Sequence, residues 1–180
     1  QGMRKHISDE RPLRSFSISF VGPLEANAPQ RIDSRVLREG RAVTQTEAHA
    51  IQGGSVLAAA FASFGMARES QVRATGAPAP EAPRPETLEE LPPNTTGPSF
   101  VRHFSYHWVL GGRPFSGGDV RDMGGWVRLR EPVERLTEAH VLALVDAWPP
   151  GVAPMMKERA PASTLTWSID SIQPLPAMSS

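Results

Sequence analysis

Hydrophobic and polar residues alternate along "LRSFSISFVGPL", with Phe16, Ile18 and Phe20 set against Ser15, Ser17 and Ser19. A period of two predicts a strand with one buried face, and Pro23 closes it. The following stretch, "QRIDSRVLREGRAVTQTEAHAIQGGSVLAAAFASFGM", reads as three more strands. Their turns fall at Glu39-Gly40 and Gln52-Gly53-Gly54, where glycine is expected to supply the positive φ of tight hairpins. The result is a meander of about four strands. Its last member, Val56 to Met66, is apolar on both sides and dense in alanine, which suits helix as well as strand.

From Gln71 to Pro98 lie seven prolines among Ala, Glu and Thr, a composition too poor in large apolar groups to pack a core. This segment is read as an interdomain linker, which divides the chain into 1–70, 71–98 and 99–180. Beyond it, "SFVRHFSYHWVLGG" places Phe100, Phe104, Tyr106, Trp108 and Leu110 on one strand face, and "GGWVRLREP" is a second strand. A helix follows: Thr137 is the expected N-cap, Glu138 sits in the first turn, and "AHVLALVDAW" is apolar on most sides, as in a helix enclosed by a sheet. Pro149 and Pro150 end it. Asp146, in the last turn, faces the negative end of the helix dipole, at a cost of a few tenths to about 1 kcal/mol. A carboxylate that local physics disfavours is a candidate for function.

The next strand, "STLTWSIDSIQPL", repeats the first. With Trp167 laid on Phe16, an offset of 151 residues, Ser168 matches Ser17, Ile169 matches Ile18, Ile172 matches Val21, Pro174 matches Pro23 and Leu175 matches Leu24. Two copies of one unit, each running strand, strand, helix and meander, account for the match. On that scheme "QGMRKHIS" is the tail of a first-unit helix equivalent to 136–148, and the second meander continues past Ser180. The residues are then a window on a longer polypeptide in which both units are incomplete; as a whole molecule they would expose sheet edges that invite association.

Composition narrows the partners. Nineteen basic residues balance 19 acidic ones along the chain, without the basic stripe of a nucleic-acid binder. Cysteine is absent, which removes thiolate nucleophiles, disulfides and cysteine-based zinc sites and agrees with a cytoplasmic location. The longest small-apolar stretch, "VLAAAFASFGMA", is about half of what crosses a bilayer, so a soluble chain without a membrane span is expected.

Taken in order, "SFVGPLEANAPQRIDSRVLREGRAVTQTEAHAIQGGSVLAAAFASF", "GGWVRLREP", "ALVDAWPP" and "STLTWSI" resemble the double hot-dog acyl-CoA thioesterases of the thioesterase II or thioesterase-like superfamily. The similarity covers nearly all of the chain apart from the linker. It implies an α+β fold of antiparallel sheets, each wrapping a central helix, and hydrolysis of fatty acyl-CoA in lipid metabolism without metal or cofactor. It also implies pairing into a homodimer or higher homo-oligomer. In that family an aspartate closing the second unit's helix, a threonine on the following strand and a glutamine on the last strand hold the nucleophilic water. Asp146 and Thr164 match the first two, and the glutamine is expected beyond Ser180. Gln52 does not replace it, because it sits at a hairpin turn; the corresponding first-unit position falls near Ser63. Arg38 and Arg41 occur in a string the family shares and are candidates for coenzyme A phosphates.

The assignment is chemically coherent. Thioester hydrolysis needs a water aimed at the carbonyl carbon, an acceptor for its proton and donors for the oxyanion. A carboxyl at a helix end among apolar walls gains basicity by desolvation, and a threonine hydroxyl can orient the water. Plainer readings stand beside it: Asp146 as a solvated helix end, Thr164 as a β-branched strand residue, and Arg38 and Arg41 as hairpin solvation. His103 and His107 lie too far apart along a strand for a comfortable metal pair. His49 and His140 follow the strand and helix patterns, and Trp108, Trp126, Trp148 and Trp167 are expected as core or interface anchors. Two rival functions are a non-catalytic acyl-CoA binding hot-dog module and a hot-dog enoyl-CoA hydratase. The latter would need an Asp/His pair, and no histidine follows Asp146 closely.

Overall fold

In its described residues, 1–72, 76–92, 97–119 and 122–173 of a computed structural model, the chain forms seven strands and one α-helix. They are β1 (Leu13–Phe20), β2 (Arg31–Glu39), β3 (Val43–Gln52), β4 (Ser55–Gly65), β5 (Phe104–Gly111), β6 (Met123–Leu129), α1 (Glu138–Asp146) and β7 (Thr166–Asp170). Two compact units result, one from Gln1–Arg73 with Ala162–Pro176 and the other from Ala74–Pro161, each in its described residues.

The first unit is an antiparallel sheet in the order β2-β3-β4-β1-β7. Its alanine-rich run is strand rather than helix, because β3 and β1 take up the hydrogen bonds on both sides of β4. Ala58, Ala60, Ala62 and Phe64 turn to the buried face beside Thr44, Thr46 and Ala48 of β3. Thr46 buries its hydroxyl there by donating to the Ala62 carbonyl at 3.2 Å. The intervening Phe61 points the other way and stays half exposed. This is the two-residue periodicity of a strand, which a run apolar on both sides conceals.

The two glycine turns differ in mechanism. Gly53 and Gly54 have φ of 59° and 83°, the two consecutive positive values of a type I′ hairpin. Gly40 does not adopt positive φ, contrary to expectation. Its N–H donates to the Val43 carbonyl at 2.8 Å, and a Cβ there would stand 3.1 Å from the same oxygen. A side chain at that turn would be tight against the Val43 carbonyl, and positive φ plays no part.

Pairing of β1 with β7 gives the internal repeat a geometric form. Ser17 lies opposite Ser168, its own sequence equivalent, while Phe16 faces Ile169 and Ile18 faces Trp167. Because Trp167 is the equivalent of Phe16 and Ile169 that of Ile18, every pair is reciprocal, as across a two-fold axis through Ser17 and Ser168. Phe16 and Trp167 meet edge to face, with ring centroids 6.0 Å apart. The Pro174 and Leu175 matches lie outside the described residues.

The second unit is built on the β5–β6 pair. Phe104, Tyr106 and Trp108 share a face with Val127 and Leu129. Phe100 and Leu110 do not belong to that face as expected: Phe100 lies in a 3-10 turn over Ser99–His103, and a register shift between Trp108 and Leu110 reverses the alternation. Part of the proline-rich segment is fastened here. Leu91 N–H donates to the Tyr106 carbonyl (2.8 Å), His107 Nδ1 to the Leu88 carbonyl (3.2 Å) and Trp126 Nε1 to the Pro83 carbonyl (2.8 Å). Glu90 accepts from the fully buried Ser105 hydroxyl (2.8 Å) and from Arg128 and Arg130 (3.2 and 3.1 Å). These partners hold its carboxyl below the ordinary glutamate value, the Ser105 hydrogen bond foremost, against a smaller opposing effect of burial.

Candidate active site

Helix α1 starts as its sequence predicts. Thr137 is the N-cap in extended conformation, its N–H donates to His140 Nδ1 at 3.1 Å, and its carbonyl accepts from Val141 N–H at 3.1 Å. This is the reverse half of a capping box, with histidine in the place usually held by Glu or Gln. The helix is less enclosed than its composition predicts. None of its residues is buried and Val145 is half exposed, because it packs on one side only. Contact is made through Leu144, and then through Ala147 and Trp148 just past the helix, against Phe104, Tyr106, Val127 and Leu129.

Asp146 is the last residue of α1, with no basic side chain in the last turn to offset the dipole. Its residue surface is exposed, yet protein atoms crowd the carboxyl enough for desolvation to raise its pKa above the ordinary aspartate value. Expected burial of the residue is thus not met, while the expected direction of the pKa shift is. A raised pKa makes the carboxylate a better proton acceptor.

The chain leaving Asp146 is firmly seated. Ala147 is 3% exposed and its carbonyl accepts the Tyr106 hydroxyl at 2.8 Å. Burial pushes the Tyr106 pKa up to about 12, so the hydroxyl remains a donor through the neutral range. Trp148 meets Tyr106 edge to face at 5.6 Å and Trp108 at 5.2 Å. Three aromatic side chains therefore flank the helix exit.

Thr164 is exposed and stands ahead of Thr166, where β7 begins, rather than on the strand itself. It belongs to the first unit and Asp146 to the second. Arg38 and Arg41 are exposed at the β2–β3 turn, as expected of that hairpin. The turn is stapled by Arg11, whose guanidinium donates to Thr44 Oγ1 and the Arg41 carbonyl and lies 3.5 Å from Glu39. Gln52 is structural: its side-chain oxygen accepts Glu25 N–H (2.9 Å) and its amide donates to the Glu25 and Ala28 carbonyls (3.1 and 3.5 Å). Ser63 donates to Gln45 at 2.9 Å.

A shallow cavity of about 240 Å³ over β2 and β3 is lined by Asp33, Ser34, Arg35, Glu47 and His49, with Arg35 and Glu47 paired at 2.6 Å. It lies in the first unit. Among the described residues no cluster of three or more His, Asp or Glu side chains is arranged to hold a metal, and no helix is long and apolar enough to cross a membrane. Sequence reasoning passed over Tyr106, Arg11 and Glu90. Only Tyr106 carried a signal, as the one tyrosine of the chain on an aromatic strand face.

Residues 1–65 match the acyl-CoA thioesterase N-terminal domain, and residues 75–178 match the acyl-CoA thioesterase C-terminal domain. No curated protein matches the sequence. Among solved structures, a hot-dog protein of unknown function from Alicyclobacillus acidocaldarius is similar at 24% identity and TM-score 0.79, over 96% of this chain and 65% of that one. The tesB protein of Mycobacterium avium subspecies paratuberculosis is similar at 20% identity and TM-score 0.68, over 95% of this chain and 64% of its own. An acyl-CoA thioesterase II from Mycobacterium marinum is similar at 20% identity and TM-score 0.59, over 79% of this chain and 53% of its own. The chain thus spans 53 to 65% of the length of these proteins, and the likeness shows the hot-dog fold. With both domains matched in order, and the C-terminal match alone covering more than half of the residues, the chain belongs to the acyl-CoA thioesterase family and has a hot-dog fold.

Proposed function

We propose that the chain is part of an enzyme that hydrolyses fatty acyl-CoA to free acid and coenzyme A. The observation that carries this reading is the Asp146 carboxyl, of raised pKa, at the closing residue of α1, the position that the sequence resemblance gives to the family's aspartate. In the proposed reaction Asp146 accepts the proton of a water that attacks the thioester carbonyl. Thr164 and a glutamine are the other two water-holding positions that the resemblance implies, and backbone N–H groups receive the oxyanion. Arg38 and Arg41 are proposed to meet the coenzyme A phosphates, and the acyl chain to lie along apolar side chains beside the helix. No metal or cofactor enters the reaction.

We divide the chain at the proline-rich segment 71–98, with 1–70 as the first unit and 99–180 as the second. In this scheme β7 belongs to the second unit by descent and to the first sheet by hydrogen bonding. A homodimer or higher homo-oligomer, cytoplasmic and acting in lipid metabolism, completes the proposal. The test is thiol release from acyl-CoAs of graded chain length by the full-length protein. Asp146→Asn should cut turnover by about 100-fold or more to a small measurable residual rate, and Thr164→Ala should slow it; equal rates in wild type and Asp146→Asn reject the assignment. Saturable acyl-CoA binding with no turnover by the wild type would instead establish a binding module.

A further inference from the structure

The segment that follows Asp146 carries two prolines that thin out the local donors for the carbonyls at the end of α1. A helix leaves its last four carbonyls without intrahelical partners, and continuing N–H groups or a glycine turn usually serve them. Here Pro149 and Pro150 occupy the two positions whose N–H groups would reach back to the end of α1, and proline has none. The Val145 and Asp146 carbonyls lose their i+4 donors in this way and the Ala147 carbonyl its i+3 donor, leaving Gly151 as the next N–H in line for Ala147, which is buried, so water is a poor substitute. The Tyr106 hydroxyl fills the vacancy from the neighbouring strand at 2.8 Å, while its ring packs edge to face on Trp148 at 5.6 Å.

We infer that Tyr106 is a positioning residue for the proposed proton acceptor: by holding the Ala147 carbonyl it fixes where α1 ends and therefore where the Asp146 carboxyl stands. Ala147 directly follows Asp146, so any shift by which that carbonyl finds another donor moves the aspartate backbone as well. Tyr106 takes no part in the chemistry itself; its pKa, pushed up to about 12 by burial, keeps the hydroxyl a donor at all working pH values. This inference rests on the thioesterase reading of Asp146.

The experiment is a double-mutant cycle on thiol release by the full-length protein, combining Tyr106→Phe with Asp146→Asn. Phenylalanine keeps the ring on Trp148 and removes only the donor. The single Tyr106→Phe variant, assayed well below its unfolding midpoint, should lose about tenfold in kcat with KM within about twofold, since orientation rather than ground-state binding is lost. On the Asp146→Asn background the same substitution should have no further effect on residual turnover, because a residue that acts through Asp146 has nothing left to position. Unchanged kcat in Tyr106→Phe, alongside an active wild type and a strongly slowed Asp146→Asn, overturns the role of Tyr106 alone. A multiplicative loss in the double variant does so too, since it marks a general structural effect. An inactive wild type, or an Asp146→Asn variant as fast as wild type, removes the thioesterase reading and this inference with it.

Discussion

Replacing Asp146 by asparagine separates what the residue does for stability from what it does for the reaction. The substitution keeps shape and hydrogen-bonding reach and removes the charge. The carboxylate is the last residue of α1, has no basic neighbour in the last turn, and has its pKa raised by desolvation; all three features disfavour the ionised form. The helix-dipole contribution for a group this exposed is about 0.3–1 kcal/mol at low ionic strength. Asp146→Asn should therefore stabilise the protein near neutral pH by about 0.5 kcal/mol, or roughly 1–2 °C in Tm for a chain of this size. The sign of the pH dependence follows from the raised folded-state pKa. Below the ordinary aspartate value both states are protonated and the two proteins should be equally stable; as pH rises through the folded-state pKa the wild type alone acquires the penalty. Paired thermal unfolding at about pH 3 and pH 7.5, in low and high salt, reads the effect. A destabilised variant at pH 7.5, or a difference that does not change with pH, would show that the carboxylate is held by favourable partners and that the argument from helix-end electrostatics is wrong. Gained stability together with lost thiol release is the expected signature of an aspartate kept for chemistry.

Three further perturbations probe the scaffold. Glu90→Gln should lower Tm and speed amide exchange at Leu91, because the charge is lost and an NH2 donor replaces one of the two oxygens that accept from Ser105, Arg128 and Arg130; the effect should be present above the ordinary glutamate pKa and fade as pH falls through the lowered one. Gln52→Ala should cost about 1–2 kcal/mol in urea unfolding by releasing the Glu25–Ala28 loop, with rates of thiol release unchanged. Ala62→Leu, at a position 2% exposed on the inner face of β4, should destabilise by about 1–3 kcal/mol through overpacking, whereas a polar replacement of the outward Phe61 should stay within about 0.5 kcal/mol.

Local sequence determined the elements. Alternation in "SFSISF" predicts the strand β1, the paired glycines at 53 and 54 dictate a tight hairpin, and Thr137 with the Pro149-Pro150 stop sets the limits of α1; the buried face expected of β1 is not met, since Phe16 and Ile18 are only half-buried, like Ser15 and Ser17, and Phe20 is exposed. Each of these depends on dihedral preferences and spacing within a few residues, which a single sequence displays directly. The 151-residue repeat and the strings around Asp146 also carried the family, because order along the chain is preserved however the chain folds.

Tertiary structure decided which groups answer one another. Periodicity says that a strand has an inner face but not which strand lies beside it, so the reciprocal pairing of β1 with β7 about Ser17 and Ser168 emerges only when distant segments compete for the same edge. The alanine run became strand because two neighbours claimed its backbone, and part of the proline-rich segment was fastened because Glu90 found a buried serine hydroxyl and two guanidinium groups. At the candidate site, the aspartate could be read from the sequence and its support could not: the two prolines announce that a carbonyl will lack a donor, but only the packed strand brings a tyrosine hydroxyl to it.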